Sequence, residues 1–184
     1  MFDSTDVIRR HVREFFAGRA CKEHVWTLGP AADELPDVRV AEFAPKSENE
    51  VWVYVTLGAC EARSDTRLEF LITALRPDLR HVEILFMAAW YHRHEHLNWG
   101  HTLPIGEPWL PGSTCEHLLV SLPYLFGPKL ENCDVVGEPV RILWLLPITA
   151  AERAFKVEHG LETLEQKFDE AVLEFWNPVR ASVV

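Results

Sequence analysis

Residues 140–160 read VRILWLLPITAAERAFKVEHG, and they join a strand-like run to a complete helix signal. The segment VRILWLLPI is rich in aliphatic and β-branched residues, which predicts a strand. Thr149 and Glu152 then form the S/T-x-x-E pattern of a capping box, and Gly160 is a typical helix stop. This stretch therefore predicts a strand that leads directly into a capped helix.

Five other segments predict strands. VWVYVTLG (51–58) is apolar at nearly every position, which is typical of a central strand that is covered on both faces. The remaining four are HVWTLG (24–29), DVRVAEFAP (37–45), RLEFLITALRPD (67–78) and HLLVSLPY (117–124). With the strand at 140–148, these segments predict a sheet of about six strands.

Three further segments show helical periodicity. STDVIRRHVREFFAG (4–18) is expected to be capped by Ser4 or Asp3 and to place Ile8, Val12, Phe15 and Phe16 on one face. Leu79–Tyr91 aligns Leu79, Val82, Leu85, Phe86 and Ala89. LETLEQKFDEAVLEFW (161–176) aligns Leu161, Leu164, Phe168, Val172 and Phe175, and Pro178 prevents further extension. The pattern predicts one α+β domain over residues 1–184, a mixed sheet with helices packed on it.

Composition and charge restrict the function classes. The chain has 184 residues and is 48% hydrophobic, its apolar runs are too short to cross a bilayer, and its start lacks a signal-peptide pattern. The net charge is −10, without a basic cluster, which argues against nucleic acid as a partner. The four cysteines include no C-x-x-C pair, so they are expected to be reduced and mostly buried. We therefore expect a cytoplasmic protein.

The segment YHRHEHLNWGH (91–101) contains four histidines and raises the question of a metal. The metalloprotease motif H-E-x-x-H fails because Asn98 stands where the second ligand should be. His92 and His96 would share one face of a helix, whereas His92, His94 and His96 would share one side of an extended segment. A metal-dependent hydrolase that uses His92, His94, His96 or His101 stays open as the alternative function, and a pH sensor is a third.

Other catalytic motifs are incomplete. The sequence has no nucleophile elbow, Walker loop or dinucleotide fingerprint. Cys115 and His117 would share one side of a strand, but cysteine nucleophiles usually take their base from a residue distant in sequence. We therefore predict that the protein is not an enzyme and needs neither cofactor nor metal.

The segment NWGHTLPIGEPWLPGST (98–114) contains three prolines and three glycines, so it predicts a long loop. Its apolar side chains, among them Trp99 and Trp109, indicate an ordered loop that is either packed or used as a binding surface. Tryptophan is often buried yet is also enriched at binding hot spots, so both alternatives remain for these two residues.

Two long stretches, LNWGHTLPIGEPWLPGSTCEHLLVSLPY (97–124) and VRILWLLPITAAERAFKVEHGLETLEQKF (140–168), together resemble the suppressor-of-fused domain family in its compact bacterial form. The G-H-T turn, the Pro/Gly/Trp loop after it and the ending LLPIT..E......G...L are the matching motifs. They cover roughly residues 90–168, and the preceding strand and helix order fits as well.

The resemblance implies a single mixed α+β domain that binds another protein and has no catalytic activity. Some bacterial relatives are similar to immunity proteins, which neutralise a toxin domain by binding it, and the acidic charge would suit a basic toxin. On this interpretation Trp99, His101, Glu107 and Trp109 are expected to contact the partner. His101 is expected to fix the loop by hydrogen bonding. The identity of the partner and the oligomeric state stay open.

Overall fold

A computed structural model describes residues 4–184. Eight strands form one sheet: β1 (Cys21–His24), β2 (Arg39–Phe43), β3 (Trp52–Leu57), β4 (Leu68–Ala74), β5 (Thr102–Pro104), β6 (Cys115–Ser121), β7 (Asn132–Val135) and β8 (Glu138–Thr149). The helices are α1 (Ser4–Phe15), α2 (Gly29–Glu34), α3 (Leu79–Glu95), α4 (Pro128–Glu131), α5 (Ala150–His159) and α6 (Leu161–Glu170), with a 3₁₀ turn at Ala59–Ala62. No helix within residues 4–184 is long and apolar enough to span a membrane.

The sheet is mixed, with the strand order β1-β2-β3-β4-β8-β6-β5. β4 and β8 are parallel, and the other pairings, including that of β7 with β8, are antiparallel. β8 is the longest strand, and it pairs with β7 through its first residues and with β6 through its last. The predicted fold class, a mixed sheet with helices packed on it, is therefore confirmed.

Both faces of the sheet are covered. On one face, the first core contains Tyr54 and Phe70, and α3 packs on it together with Trp109 of the loop. On the other face, the second core contains Val53 and Leu71, covered by apolar residues of α1, α4 and α6. Consecutive residues of β3 and β4 alternate between the two cores, as the pleat of a strand requires. The prediction that β3 is a central strand covered on both sides is confirmed.

The sheet has more strands than the six predicted. β5 and β7 were missed because strands of three and four residues carry too little alternation to be recognised. The first strand lies at Cys21–His24 rather than 24–29, because its backbone pairs with residues 40–43 of β2. Gly29 instead begins the short helix α2, which no pattern in the sequence predicted.

The helices differ from the predictions mainly at their ends. Ser4 is the first residue of α1, and the alternative cap Asp3 lies outside the described residues. α3 continues to Glu95, and Leu79 at its start is exposed, so Leu79 does not belong to the buried stripe. α6 ends at Glu170, well before Pro178. At its end Leu173 donates its N–H to the carbonyl of Phe168, which is the Schellman pattern of a helix terminus.

Val172 occupies the left-handed position of this helix end, at φ 50°, where glycine is usual. A β-branched residue in this conformation is strained by roughly 1–3 kcal/mol, and the side chain is 79% exposed, so little packing would be lost. We expect Val172→Gly to raise the free energy of unfolding by about 1 kcal/mol in urea denaturation. The control, Val157→Gly at an exposed position of α5, should lower the free energy of unfolding by about 0.5 kcal/mol. A lower stability of Val172→Gly would contradict the strain.

Candidate functional site

The loop of residues 98–114, here called the platform loop, is held along strand β6 by backbone hydrogen bonds. The N–H of Gly100 donates to the carbonyl of Val120 at 2.7 Å, and the N–H of Val120 donates to the carbonyl of His101 at 2.9 Å. Further along, the N–H of Trp109 donates to the carbonyl of Cys115 at 2.8 Å. Residues 102–104, in the first half of the loop, form β5, an edge strand of the sheet. The loop is thus ordered, as predicted, but the sequence did not predict the strand β5 within it.

The four residues predicted to contact a partner lie in different environments. Trp99 is 42% exposed, and His101 and Glu107 are also exposed. Trp109 is only 1% exposed and belongs to the first core. Trp109 therefore packs underneath the platform loop, and its expected contact with a partner stays a prediction. His101 fixes the loop through its backbone carbonyl, whereas its side chain is exposed.

A cavity of about 370 Å³ opens between the platform loop and the start of α3. Arg80 lines it, and its Nη1 lies 2.6 Å from a carboxylate oxygen of Glu83 and 3.2 Å from one of Glu107. The other terminal nitrogen of Arg80, Nη2, is buried and has no hydrogen-bond partner among the residues described. Because guanidinium N–H groups are donors only, a carbonyl or carboxylate that entered this cavity would complete the hydrogen bonding of Arg80.

Two more buried polar atoms beneath the loop lack a partner within residues 4–184. They are Nε1 of Trp109 and Nε2 of His81, whose rings lie 6.0 Å apart between centroids. Nδ1 of His81 lies 3.1 Å from the carbonyl oxygen of Asp78, so it carries the proton and Nε2 is left as an acceptor. Burial lowers the pKa of His81, which keeps the ring neutral. Unpaired buried polar atoms are rare, yet three of them, in Arg80, His81 and Trp109, lie at or beneath the platform loop.

Three of the four clustered histidines, His92, His94 and His96, form hydrogen bonds with neighbouring protein groups. His92 is buried; its Nε2 lies 2.9 Å from the carbonyl oxygen of Thr66, and its Nδ1 accepts the N–H of Leu97 at 3.0 Å. His96 is the C-cap residue of α3, and its Nε2 lies 3.0 Å from the hydroxyl oxygen of Thr66. Nε2 of His94 lies 2.9 Å from a carboxylate oxygen of Glu34. Both ring nitrogens of His92 are therefore occupied by hydrogen bonds that fix the end of α3.

No group of three or more histidine, cysteine, aspartate or glutamate side chains within residues 4–184 is placed to hold a metal. Cys115 and His117 are separated by an irregularity in the pairing of β6 with β8, so they do not keep the simple alternation expected for them. Burial raises the pKa of the Cys115 thiol, which disfavours the nucleophilic thiolate. Within residues 4–184, the structure therefore offers no set of three ligands for the metal-dependent hydrolase that the sequence left open.

The C-terminal segment holds the far end of the platform loop. Thr114 donates its hydroxyl to the carbonyl of Arg180 at 3.0 Å, and Arg180 forms a buried ion pair with Glu152 of α5. The platform loop is therefore connected to the capping box that the sequence predicted. Hydrogen bonds thus fix the loop backbone at both ends, and a backbone that is already fixed reduces the entropic cost of binding.

The comparisons with known proteins agree with this architecture. The model of the suppressor of fused protein (SUFU) family matches residues 34–181. The chain belongs to the SUFU family. A SUFU homolog from Neisseria gonorrhoeae FA 1090 is similar over the whole length, with 38% sequence identity and a TM-score of 0.88, covering 99% of this chain and 97% of that one. The resemblance noted in the sequence is thereby confirmed.

More distant structures share the SUFU fold alone. A chain of the Sufu–Fu complex has a TM-score of 0.69 at 14% identity, covering 98% of this chain and 92% of that one. Drosophila Suppressor of Fused has a TM-score of 0.63 at 11% identity, and this chain spans 51% of its length. A search of the curated proteins gave no match.

Arg80 is the functional candidate that sequence reasoning missed. Within the sequence it is one basic residue in the first turn of a helix, with nothing to relate it to the platform loop. Its approach to Glu107 depends on the packing of α3 against the loop, which arises only when both lie on the same face of the sheet. No local pattern could have indicated this contact.

Proposed function

We propose that this SUFU-family protein is a non-catalytic module that binds another protein through the platform loop. The observation that carries the proposal is the contrast within this loop. Its backbone and Trp109 are fixed to the sheet, yet Trp99, His101 and Glu107 remain exposed along it. An exposed aromatic residue on a rigid support is the usual composition of a binding hot spot.

Support for a polypeptide partner comes from the chemistry beside the loop. The cavity lined by Arg80 offers an unpaired donor for a partner carbonyl or carboxylate, and the platform loop also contains the edge strand β5. The Sufu–Fu complex, one of the matched structures, is itself an assembly of two proteins in which one chain has this fold.

We further propose a specific form of this function, in which the protein acts as an immunity protein in the cytoplasm and neutralises a basic toxin domain. The net charge of −10 supports it, because an acidic surface accelerates association with a basic partner. On this proposal residues 1–184 act as one SUFU domain. Growth of toxin-expressing cells with and without this protein would test it.

We expect the triple variant Trp99→Ser, His101→Ser, Glu107→Ser to weaken partner binding at least about tenfold, because it removes the exposed hot spot and leaves the buried support intact. The partner is first identified by co-purification from the native host and mass spectrometry. Its affinity for both proteins is then measured by calorimetry.

The matched control is Val157→Ser, Glu158→Ser, His159→Ser, which changes an apolar residue, a glutamate and a histidine that are all exposed at the end of α5. It should leave the affinity within about twofold, the range expected for changes outside the interface. Equal affinities of the two triple variants would reject the platform loop as the binding surface.

A further inference from the structure

A second surface lies on the opposite face of the sheet, where α6 ends. A groove of about 390 Å³ is bordered by Tyr124, Leu125, Trp144, Leu146, Phe168, Val172, Leu173, Phe175 and Trp176, together with Ser121, Glu165 and Asp169. We call it the aromatic groove. Its floor belongs to the second core, whereas Leu103, Ile105 and Trp109 of the platform loop belong to the first core, so these two sets lie on opposite faces of the sheet.

The aromatic groove is built by the irregular end of α6. The left-handed turn at Val172 redirects the chain, and Phe175 then packs edge-to-face against Trp144 with 5.1 Å between ring centroids. Trp176 in turn packs edge-to-face on Phe175 at 4.6 Å. Tyr124 and Leu125 on the other side are exposed. The groove is therefore apolar, and its walls present several aromatic rings.

The charged side chains that line the aromatic groove are all acidic. Glu165 and Asp169 line it, and none of its lining residues is a lysine, arginine or histidine. Glu165 is partly covered; the hydroxyl of Tyr124 donates to its carboxylate at 3.2 Å, and burial raises the pKa of this carboxyl. No cation among the lining residues compensates these two carboxylates, so the groove is complementary to a positive charge.

The indole of Trp144 adds a third feature. Its Nε1 is buried and has no hydrogen-bond partner in the described part of the chain, although the residue lines the groove. An indole N–H can only donate, so its complement is an acceptor such as a peptide carbonyl. Apolar walls, aromatic rings beside carboxylates and a free N–H donor together match the chemistry of a polypeptide that carries cationic side chains.

We propose that the aromatic groove binds a partner segment in which lysine or arginine is flanked by hydrophobic side chains. The cation would lie between the carboxylates of Glu165 and Asp169 and the aromatic faces, where electrostatic and cation–π attraction act together. The hydrophobic neighbours would fill the apolar floor. None of the residues that line the groove belongs to the platform loop, so the domain could hold two polypeptides at separate sites.

The test uses two synthetic amphipathic peptides, one built from leucine and lysine and the other with every lysine replaced by glutamine. The double variant Glu165→Gln, Asp169→Asn removes both charges and keeps the shape and the hydrogen bond from Tyr124. The control Glu14→Gln, Glu158→Gln makes the same change in net charge on exposed helix positions. Affinity is measured by calorimetry, and the site is mapped by the indole N–H signals in NMR spectra.

We expect the lysine peptide to bind the wild-type protein and the control alike, and the groove variant at least about fivefold more weakly. The indole signals of Trp144 and Trp176 should shift, while that of Trp109 should not. The proposal would be overturned if the lysine peptide bound the groove variant and the control equally well. It would also be overturned if the glutamine peptide bound the wild-type protein as tightly as the lysine peptide, or if only the indole signal of Trp99 shifted. Because these peptides report on the groove alone, the result is independent of the platform-loop experiment.

Discussion

Replacing Arg180 by alanine is expected to lower the free energy of unfolding by about 3–5 kcal/mol, because it leaves a buried carboxylate without its cation. Arg180 and Glu152 form a bidentate pair, with Nη1 to Oε1 at 2.6 Å and Nη2 to Oε2 at 2.7 Å. Both side chains are almost inaccessible to solvent. The carboxylate would therefore lose its donors at a position that bulk solvent does not reach in the folded protein.

The effect should extend beyond the pair itself. Glu152 also accepts the N–H of Thr149 at 2.9 Å, as the capping box requires, and the N–H of Val183 at 3.1 Å. Arg180 further donates to the carbonyl of Pro147 at 3.1 Å. One ion pair thus joins the start of α5, the end of β8 and the C-terminal segment, so its loss loosens all three.

Urea denaturation followed by circular dichroism would measure the change. The control is Arg63→Ala, since Arg63 forms an equally bidentate pair with Asp65, at 2.8 and 2.6 Å, but on the surface. Exposed pairs contribute little, so we expect a much smaller loss. Comparable losses in the two variants would show that burial of the Arg180–Glu152 pair does not determine its strength.

The capping box shows which features a sequence can predict. Thr149 and Glu152 are three residues apart, and their reciprocal hydrogen bonds need no residue from elsewhere in the chain. The box and the stop at Gly160 were therefore predicted correctly. The partner of Glu152 is 28 residues away, and a lone arginine near the end of the chain carries no signal of burial.

The end of α6 shows the opposite case. Residues 161–176 keep a helical period throughout, and no glycine marks the stop at Val172. The helix ends because Phe175 gains contact with Trp144 of β8, a tertiary contact that overrides local propensity. The aromatic groove was invisible in the sequence for the same reason. Similarly, the sequence indicated the platform loop but could not show which of its two tryptophans is buried.

The wild-type protein is expected to lose stability relative to Glu69→Gln as the pH rises, by about 3 kcal/mol between pH 4.5 and pH 8. Glu69 of β4 is completely buried, and burial raises the pKa of its carboxyl from 4.5 to about 7. The folded state therefore binds a proton that the unfolded state has already released. The stability contributed by that proton is complete below pH 4.5 and is lost as the pH rises through about 7.

Hydrogen bonds to Glu69 partly oppose the increase in its pKa. Its carboxylate accepts the N–H groups of Gly58, Ala59 and Cys60 at 2.9, 3.2 and 3.1 Å, and it also bonds the hydroxyl of Thr56. These donors favour the ionised form, but removal from water acts more strongly on the carboxyl. Glutamine is a good reference, because it has the shape of the protonated acid and does not titrate.

Urea unfolding of both proteins at pH 5, 6, 7 and 8 measures the difference, and the titration of every other group cancels between them. A difference that stays constant from pH 5 to pH 8 would mean that the pKa of Glu69 is not raised in the folded state. Extending the series to about pH 3 would then show whether the backbone N–H groups hold the carboxylate ionised, because the wild type would lose stability relative to the variant as the pH falls below 4.5. In that case the 3₁₀ turn at Ala59–Ala62 would act as an anion-binding cradle, and its hydrogen bonds would outweigh desolvation.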